Sequence, residues 1–427
     1  MEVTQIVLIL CLILLTALIF KVPELGLVLC LVIGALFKGM IQPLPGPVDI
    51  TAYLFAVTYG SIFIRSCVEK KFTMPGLGIN IGVLLLIGFL LASLIYTPLP
   101  RQGTESFFNI VFLSISMLYA TFMWCNNITR IKRLLFIFLG ILLAYGTVAL
   151  IWVFLLGHVS GSRAPLPETS VLGIAQFLAA GILIAFVVRR FISSRYKRLA
   201  LGLLMIMGTV ELIALNSRGP LIAFVVGAIC LFFLYSPREK GRSIVLSTVI
   251  VTVLILAFIL LPSQYVARYA SIINIESTSI AWRLGAWQYV FQHLSDWFFL
   301  GAGLSGFAYY YAGTTDLLAS ATYPHNIFLD IFANTGFLGL VVFVCLIGYL
   351  FYKGIIISRV GERSIHLLSL AATVAFIVIV IEHLFSGTIA ARGLWFFGGL
   401  ILSLERLWMK RKQESLIAKK EASRNLA

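Results

Sequence analysis

Charge is scarce in this sequence, and what there is leans one way. Of 427 residues, 11% are charged and 60% hydrophobic, with a mean hydropathy of +1.03, where an average soluble domain has about a quarter of its residues charged. That balance excludes a water-soluble globule. Acidic residues are scarcest, 17 Asp and Glu against 32 Lys and Arg, and no run of carboxylates offers a Mg²⁺ or Ca²⁺ site. The six cysteines (Cys11, Cys30, Cys67, Cys125, Cys230, Cys345) lie in or beside apolar runs without a CxxC pair, which argues against a disulfide framework and against zinc. HExxH, GxSxG and P-loop signatures are missing too. A metal-independent chemistry without a cofactor is expected. Alternating segments of about ten residues, the mark of a β-barrel, are also lacking.

What the chain has instead is repeated apolar runs, each near the roughly 20 residues that cross a bilayer as helix. They fall near 3–20, 25–40, 49–66, 77–96, 106–125, 134–157, 171–188, 199–215, 220–236, 243–262, 326–352, 365–386 and 393–408. The expected fold is an all-α polytopic membrane protein with about 12–13 transmembrane helices; the first two runs form either a shallow hairpin or one broken element. The first run has no basic leader and no small-residue cleavage site, so it is expected to stay in the membrane.

A net charge of +15 would suit nucleic acid, but placement assigns it to the membrane surface. Twenty-four of the 32 basic residues sit in alternate connections (Arg65 to Lys71, Arg130 to Arg133, Arg189 to Arg198, Arg238 to Arg242, Lys353 to Arg363) and in the tail from Arg406 to Arg424. The positive-inside rule makes these cytoplasmic. The tail reads as a solvated end on anionic head groups, and no nucleic-acid partner is expected. The opposite side holds Arg101, Arg163, Arg218, Arg268, Arg283 and Arg392; Lys21 and Lys38 lie in the first hairpin.

One outside connection, from about Ser263 to His325, is far longer than typical loops of 4 to 6 residues. It carries Trp282, Trp287, Trp297 and seven tyrosines, residues that favour the membrane interface. The expected division is therefore 1–262 as an N-terminal bundle, 263–325 as the large outside loop, 326–408 as C-terminal helices and 409–427 as a basic tail. Within the loop, Ser277 or Ser279 can cap a helix whose Ile280, Leu284, Trp287, Phe291 and Leu294 share a stripe. Arg283 sits beside that stripe, where it either binds an anion or snorkels as an anchor.

Two outside helix starts carry chemistry. At Asn216-Ser217-Arg218-Gly219-Pro220, Ser217 can cap and Pro220 can occupy the first turn. Free N–H groups, the helix dipole and the Arg218 fork make an anion site there, a simple interfacial anchor being the alternative. At Tyr323-Pro324-His325-Asn326, His325 is expected in a first turn, where the dipole disfavours imidazolium. Neutral, it could serve as general base to a sugar hydroxyl, or merely cap. Asn326, Asp330 and Asn334 recur every four residues as a polar stripe that faces a cavity or the bundle interior. His293 and Asp296 in the long loop, with Glu382, His383 and Arg392, form a second tier. The GxGxxG at Gly301 to Gly306 lacks a βαβ context and reads as a tight turn or close backbone approach, not a dinucleotide site.

The order NSRG (Asn216 to Gly219), the arginine-tryptophan helix from Trp282 to Trp287, GAGLSGF and PHNIFLDIFANTGFLG (Pro324 to Gly339) resembles the O-antigen ligase and polymerase family of bacterial inner-membrane glycosyltransferases. The resemblance spans roughly the C-terminal half. It implies a GT-C-like fold whose long loop is periplasmic. The donor would be a glycan on undecaprenyl diphosphate, and the acceptor hydroxyl would lie on lipid A-core or another glycan. By the same resemblance Arg218 and Arg283 bind the diphosphate and His325 handles the acceptor proton; Asn326, Asp330, Arg392 and His383 are further candidates. A ligase fits somewhat better than a polymerase. A lipid-linked glycan flippase or transporter, which would show internal repeats and ionisable groups at mid-membrane, is the alternative of another class.

Overall fold

The computed structural model describes residues 3–36, 50–151, 170–215, 217–235, 278–312, 322–359 and 362–424, and these are helical throughout their regular elements. The apolar run near 243–262 lies outside the described residues, as do Lys38, Arg163, Asn216, Arg238, Lys240, Arg242, Arg268 and Ser277. The first half holds α1 (Val3–Lys21), α2 (Pro23–Leu36), α3 (Ile50–Val68), α4 (Leu77–Ser93), α5 (Pro100–Phe108), α6 (Ser116–Trp124) and α7 (Ile128–Leu150). Then follow α8 (Val171–Val188), α9 (Arg195–Ala214), α10 (Arg218–Leu234), α11 (Thr278–Gln292), α12 (Gly306–Ala312), α13 (Ile327–Ile357), α14 (Arg363–Ser386) and α15 (Arg392–Arg424). A π-helical segment, Asn109–Ile115, joins α5 to α6 as one span. Among the described residues six helices are long and apolar enough to cross a membrane, and α1, α2, α4 and α10 contribute shorter apolar stretches.

Helix α14 is the axis of the bundle. It is apolar all round, as a helix surrounded by others must be, and it packs against α8, α10, α13 and α15. Outward residues such as Leu84 and Phe233 are 65% and 70% exposed. In water each would forfeit about 1.5–3 kcal/mol of burial; in hydrocarbon nothing is lost.

The two ends of the bundle differ. At the end rich in Lys and Arg, the scarce carboxylates are nearly all engaged. Arg130 pairs with Glu69 at 2.6 Å while its guanidinium lies 3.7 Å from the Trp124 ring centroid, Arg133 reaches buried Glu24 at 3.4 Å, and Lys353 meets Glu405 at 2.5 Å. Arg411 pairs with Glu362. The stretch expected as a separate tail forms, from 409 on, about the last half of α15, which runs unbroken to Arg424 with its end exposed.

The opposite end is organised by two glycines. Helix α13 is interrupted at Gly336, with φ 73° and ψ −169°, a region open essentially to glycine alone. The kink lets the loop at 298–302 dock on the helix: Ala302 N–H donates to Ala333 O at 2.6 Å and Phe337 N–H to Phe298 O at 2.7 Å. A Cβ on Gly301 would stand 2.7 Å from Ala333 O, and one on Gly336 would strike the Phe299 carbonyl. The glycine-rich motif thus serves backbone approach, as its context suggested. Gly336→Ala is expected to cost about 1–3 kcal/mol from backbone strain alone, seen as a lower thermal midpoint of the detergent-purified chain. An unchanged midpoint would show that the kink is not needed.

Candidate active site

Helix α11 brings the loop's polar groups to the start of α13. Its buried side is Ala286 and Val290, both 0% exposed, with Tyr289 packed beside them. The stripe read from the sequence is in part its open face, with Leu284 43% and Phe291 58% exposed. Such exposure suits a helix that lies along the bilayer surface and turns its larger apolar residues toward lipid. Trp287, counted in that stripe, has a different task. Its indole N–H donates to Pro324 O at 2.9 Å. Arg283 lies one turn away on the same side, so this bond ties the arginine's helix to the segment that carries His325.

His325 does not sit in the first helical turn. Asn326 occupies the N-cap, its Oδ1 accepting from Phe328 N at 3.0 Å and Leu329 N at 3.2 Å, and His325 precedes it with φ 55°. A left-handed residue without glycine's freedom is uncommon and often marks a site. The ring lies against Tyr323, centroids 4.2 Å apart. Among the described residues its Nδ1 is buried and makes no hydrogen bond. Burial, and then the charge of Arg283, push the imidazole down to about 4, so it is neutral at pH 7. The direction matches expectation, and enclosure and a neighbouring cation are its causes.

Arg283 is itself pulled down by burial and held up by Tyr323 and Glu382. The Tyr323 hydroxyl is pushed up by burial and by the carboxyls of Asp330 and Glu382, against the pull of Arg283. Arg283, Tyr323, His325, Asp330 and Glu382 therefore form one electrostatic neighbourhood. Glu382 is 2% exposed, with its Oε2 2.8 Å from His383 Nδ1 and a bond from the Ser386 hydroxyl to its other oxygen.

The polar stripe on α13 acts as a staple. Asp330 Oδ2 accepts from Ile389 N at 3.1 Å, its Oδ1 accepts from Asn334 Nδ2 at 3.0 Å, and Asn334 Oδ1 accepts from Ser305 N at 2.9 Å. Three segments distant in sequence converge there. Beside it opens a cleft of two lobes. One, of about 340 Å³, is bounded by Asp330, Asn334, Ser305 and the α5 face; the other, of about 220 Å³, by His383, Arg392, Gln176 and the α8 start. Tyr323, Thr388 and Ala390 border both. Arg392 also donates to Cys30 O at 3.2 Å and faces the Phe55 ring at 5.0 Å.

Arg218 opens α10 after Ser217, which holds the N-cap position without the expected side-chain bond. It stands near the end of α14: a Cβ on adjacent Gly219 would meet Phe385 Cβ at 3.4 Å. Arg218, Arg283 and His325 line neither lobe. Glu211 turns toward α7, where a Cβ on Gly146 would meet its Oε2 at 2.7 Å.

Sequence reasoning missed Trp287 as a positioning residue and missed the α5 wall. Only the second had a legible signal, a polar spacing inside an apolar helix. Among the described residues no group of three His, Cys, Asp or Glu could hold a metal.

A search of curated proteins finds no match to this chain. Residues 203–344 match the family model described as O-Antigen ligase, about a third of the chain, and that stretch contains Arg218, Arg283, the Gly301 loop, His325, Asp330 and the Gly336 kink. This segment is similar to the O-antigen ligase family.

Proposed function

We propose that the chain transfers a glycan from undecaprenyl diphosphate to an acceptor hydroxyl at the periplasmic face of a bacterial inner membrane. Ligation onto lipid A-core is the favoured form, and glycan extension by a polymerase of the same family is the alternative. The observation that carries this reading is the half-buried Arg283 charge beside an imidazole it helps to keep neutral. A base that is unprotonated at pH 7 and a guanidinium fork for phosphate are the two things such a transfer needs. The acceptor oxygen bonds to the anomeric carbon as the anomeric C–O bond to phosphate breaks. The acceptor proton passes to His325, and the bonding pair leaves with the diphosphate. Arg283, with Arg218 at the positive end of α10, stabilises the charge that grows there. Tyr323 and Trp287 hold this arrangement in place.

Activity is tested with the full chain in nanodiscs, lipid-linked oligosaccharide and acceptor. Arg283→Ala and His325→Ala are each expected to lower the transfer rate by about 10²–10³-fold, Arg218→Ala similarly, with insertion unchanged. Full activity in all three variants, or movement of the lipid-linked glycan across the bilayer without transfer, would overturn the reading.

The pH dependence has a definite sign. His325 must be neutral to accept a proton, so the acid limb of kcat/KM falls near pH 4 and not near its ordinary 6.5. Because the folded value is the lower one, protonation also favours the unfolded chain. The stability that His325 contributes is full above pH 6.5 and declines from there to pH 4. Carbon-13-labelled histidine spectra check this directly, and a His325 signal titrating at 6.5 would contradict it.

A further inference from the structure

One buried acid stands apart from the cleft and from the proposed transfer chemistry. Glu211 is 2% exposed, and among the described residues neither of its carboxyl oxygens has a hydrogen-bond partner. The other buried carboxyls are all engaged: Glu24 by Arg133, Asp330 by two amides, and Glu382 by His383 and Ser386. Glu211 lies on α9 within one turn of Ala214, at the end away from Arg195, Lys197 and Arg198. An ionisable side chain inside a membrane bundle is rare and marks a functional site.

The surroundings are shaped to the carboxyl. Gly146 on α7, Gly181 on α8 and Gly208 on α9 line one small cavity together with Glu211, and such glycines let helices approach closely. A Cβ on Gly146 would stand 2.7 Å from Glu211 Oε2, and one on Gly181 would strike Leu142. Gly146 thus leaves open the space that the carboxyl fills. The cavity measures about 10 Å³, the least that holds one water. Among the described residues Glu211 brings its only side-chain oxygens; the rest of the lining is leucine, isoleucine, methionine and glycine.

This chemistry selects the occupant. A hard metal cation needs a shell of several oxygens, and an ionised carboxylate with neither cation nor donor is very costly in apolar surroundings. A proton needs a single carboxyl oxygen. The helices packed on α9 supply no substitute. Helix α8 has no titratable side chain; α7 has Tyr145 beside Gly146 and its three cations, Arg130, Lys132 and Arg133, at the far end; α10 has Arg218 and Cys230. On α9 itself, Tyr196 and the three cations lie at the far end. None of these groups bonds to the Glu211 carboxyl.

We infer that this cavity is a proton-binding site. Glu211 holds one proton there as the neutral acid and exchanges it at the end of the bundle away from the basic residues, and loss of that proton loosens α9 from α7. The inference stands apart from the proposed glycan transfer and does not depend on it.

The test uses the full chain in nanodiscs and dicyclohexylcarbodiimide, an apolar reagent that adds to a protonated carboxyl, with no leaving group, to give an N-acylurea. Peptide mass spectrometry reads the attachment. Glu211 is expected to be labelled at pH 7, where carboxyls in water are ionised, and the rate to fall about tenfold per pH unit above the site's own titration point. Exchanging choline chloride for sodium chloride is expected to change nothing; protection by sodium would overturn the inference in favour of a metal cation. Infrared spectra at pH 7 check the proton without the reagent. The protonated-carboxyl band is expected to be weaker in Glu211→Gln, a variant of nearly the same shape that keeps the fold. Absence of label at pH 7, or an identical band in both chains, would overturn the inference. Amide hydrogen exchange at the end of α9, corrected for its intrinsic pH dependence, is expected to rise severalfold above the titration point in the unaltered chain and to stay level in Glu211→Gln. Equal profiles in the two chains would show that the proton does not seat the helix.

Discussion

One buried carboxyl holds this end of the molecule together. Asp330 receives the Ile389 amide from the connection between α14 and α15 and the Asn334 amide from the next turn of its own helix. Asn334 passes the chain of bonds on to Ser305. A carboxyl inside a bundle is tolerated only when its oxygens are occupied, so the group that is most expensive to bury also dictates where two loops must lie. Remove that requirement and neither lobe has a fixed wall.

The proposed catalytic groups depend on this staple at one remove. Tyr323 borders both lobes, and the segment it shares with His325 is held from the other side by the Trp287 bond to Pro324. His325 is thereby trapped in a backbone conformation that histidine rarely adopts. The two halves of the constellation arrive by different routes: α11 delivers Arg283 from the loop, and α13 delivers the imidazole from the membrane. Their mutual influence, seen in the depressed basicity of His325, is a property of docking and not of either helix.

How much of this the sequence revealed depends on the range of the interaction. The helices were legible because each must be apolar over a bilayer's thickness, and the run at 171–188 coincides with α8. The stripe through Asp330 and Asn334 was legible because it follows helical spacing, but the cap at Asn326 was not, since His325 was expected inside the first turn. Arg218, Arg283 and His325 stood out as polar groups at helix starts. What could not be read was orientation about an axis. The α11 stripe turned partly outward because lipid accepts leucine and phenylalanine as readily as the core does, which removes the usual cue. Trp287 looked like one more interfacial aromatic until its partner, 37 residues away, was in view. The polar spacing from Gln102 to Asn109 was readable in principle. It was hidden by a predicted helix start at 106, six residues late.

Helix α15 has a mechanical consequence. Its first residue, Arg392, borders the smaller lobe, and its last, Arg424, lies beyond the basic end of the bundle. Thirty-three residues in one unbroken helix extend about 50 Å at 1.5 Å per residue, well beyond a hydrocarbon core of about 30 Å. Such a rod has no joint. Any tilt imposed on its charged overhang by the surface it rests on is delivered, undiminished and reversed in direction, to the wall of the cleft at its far end.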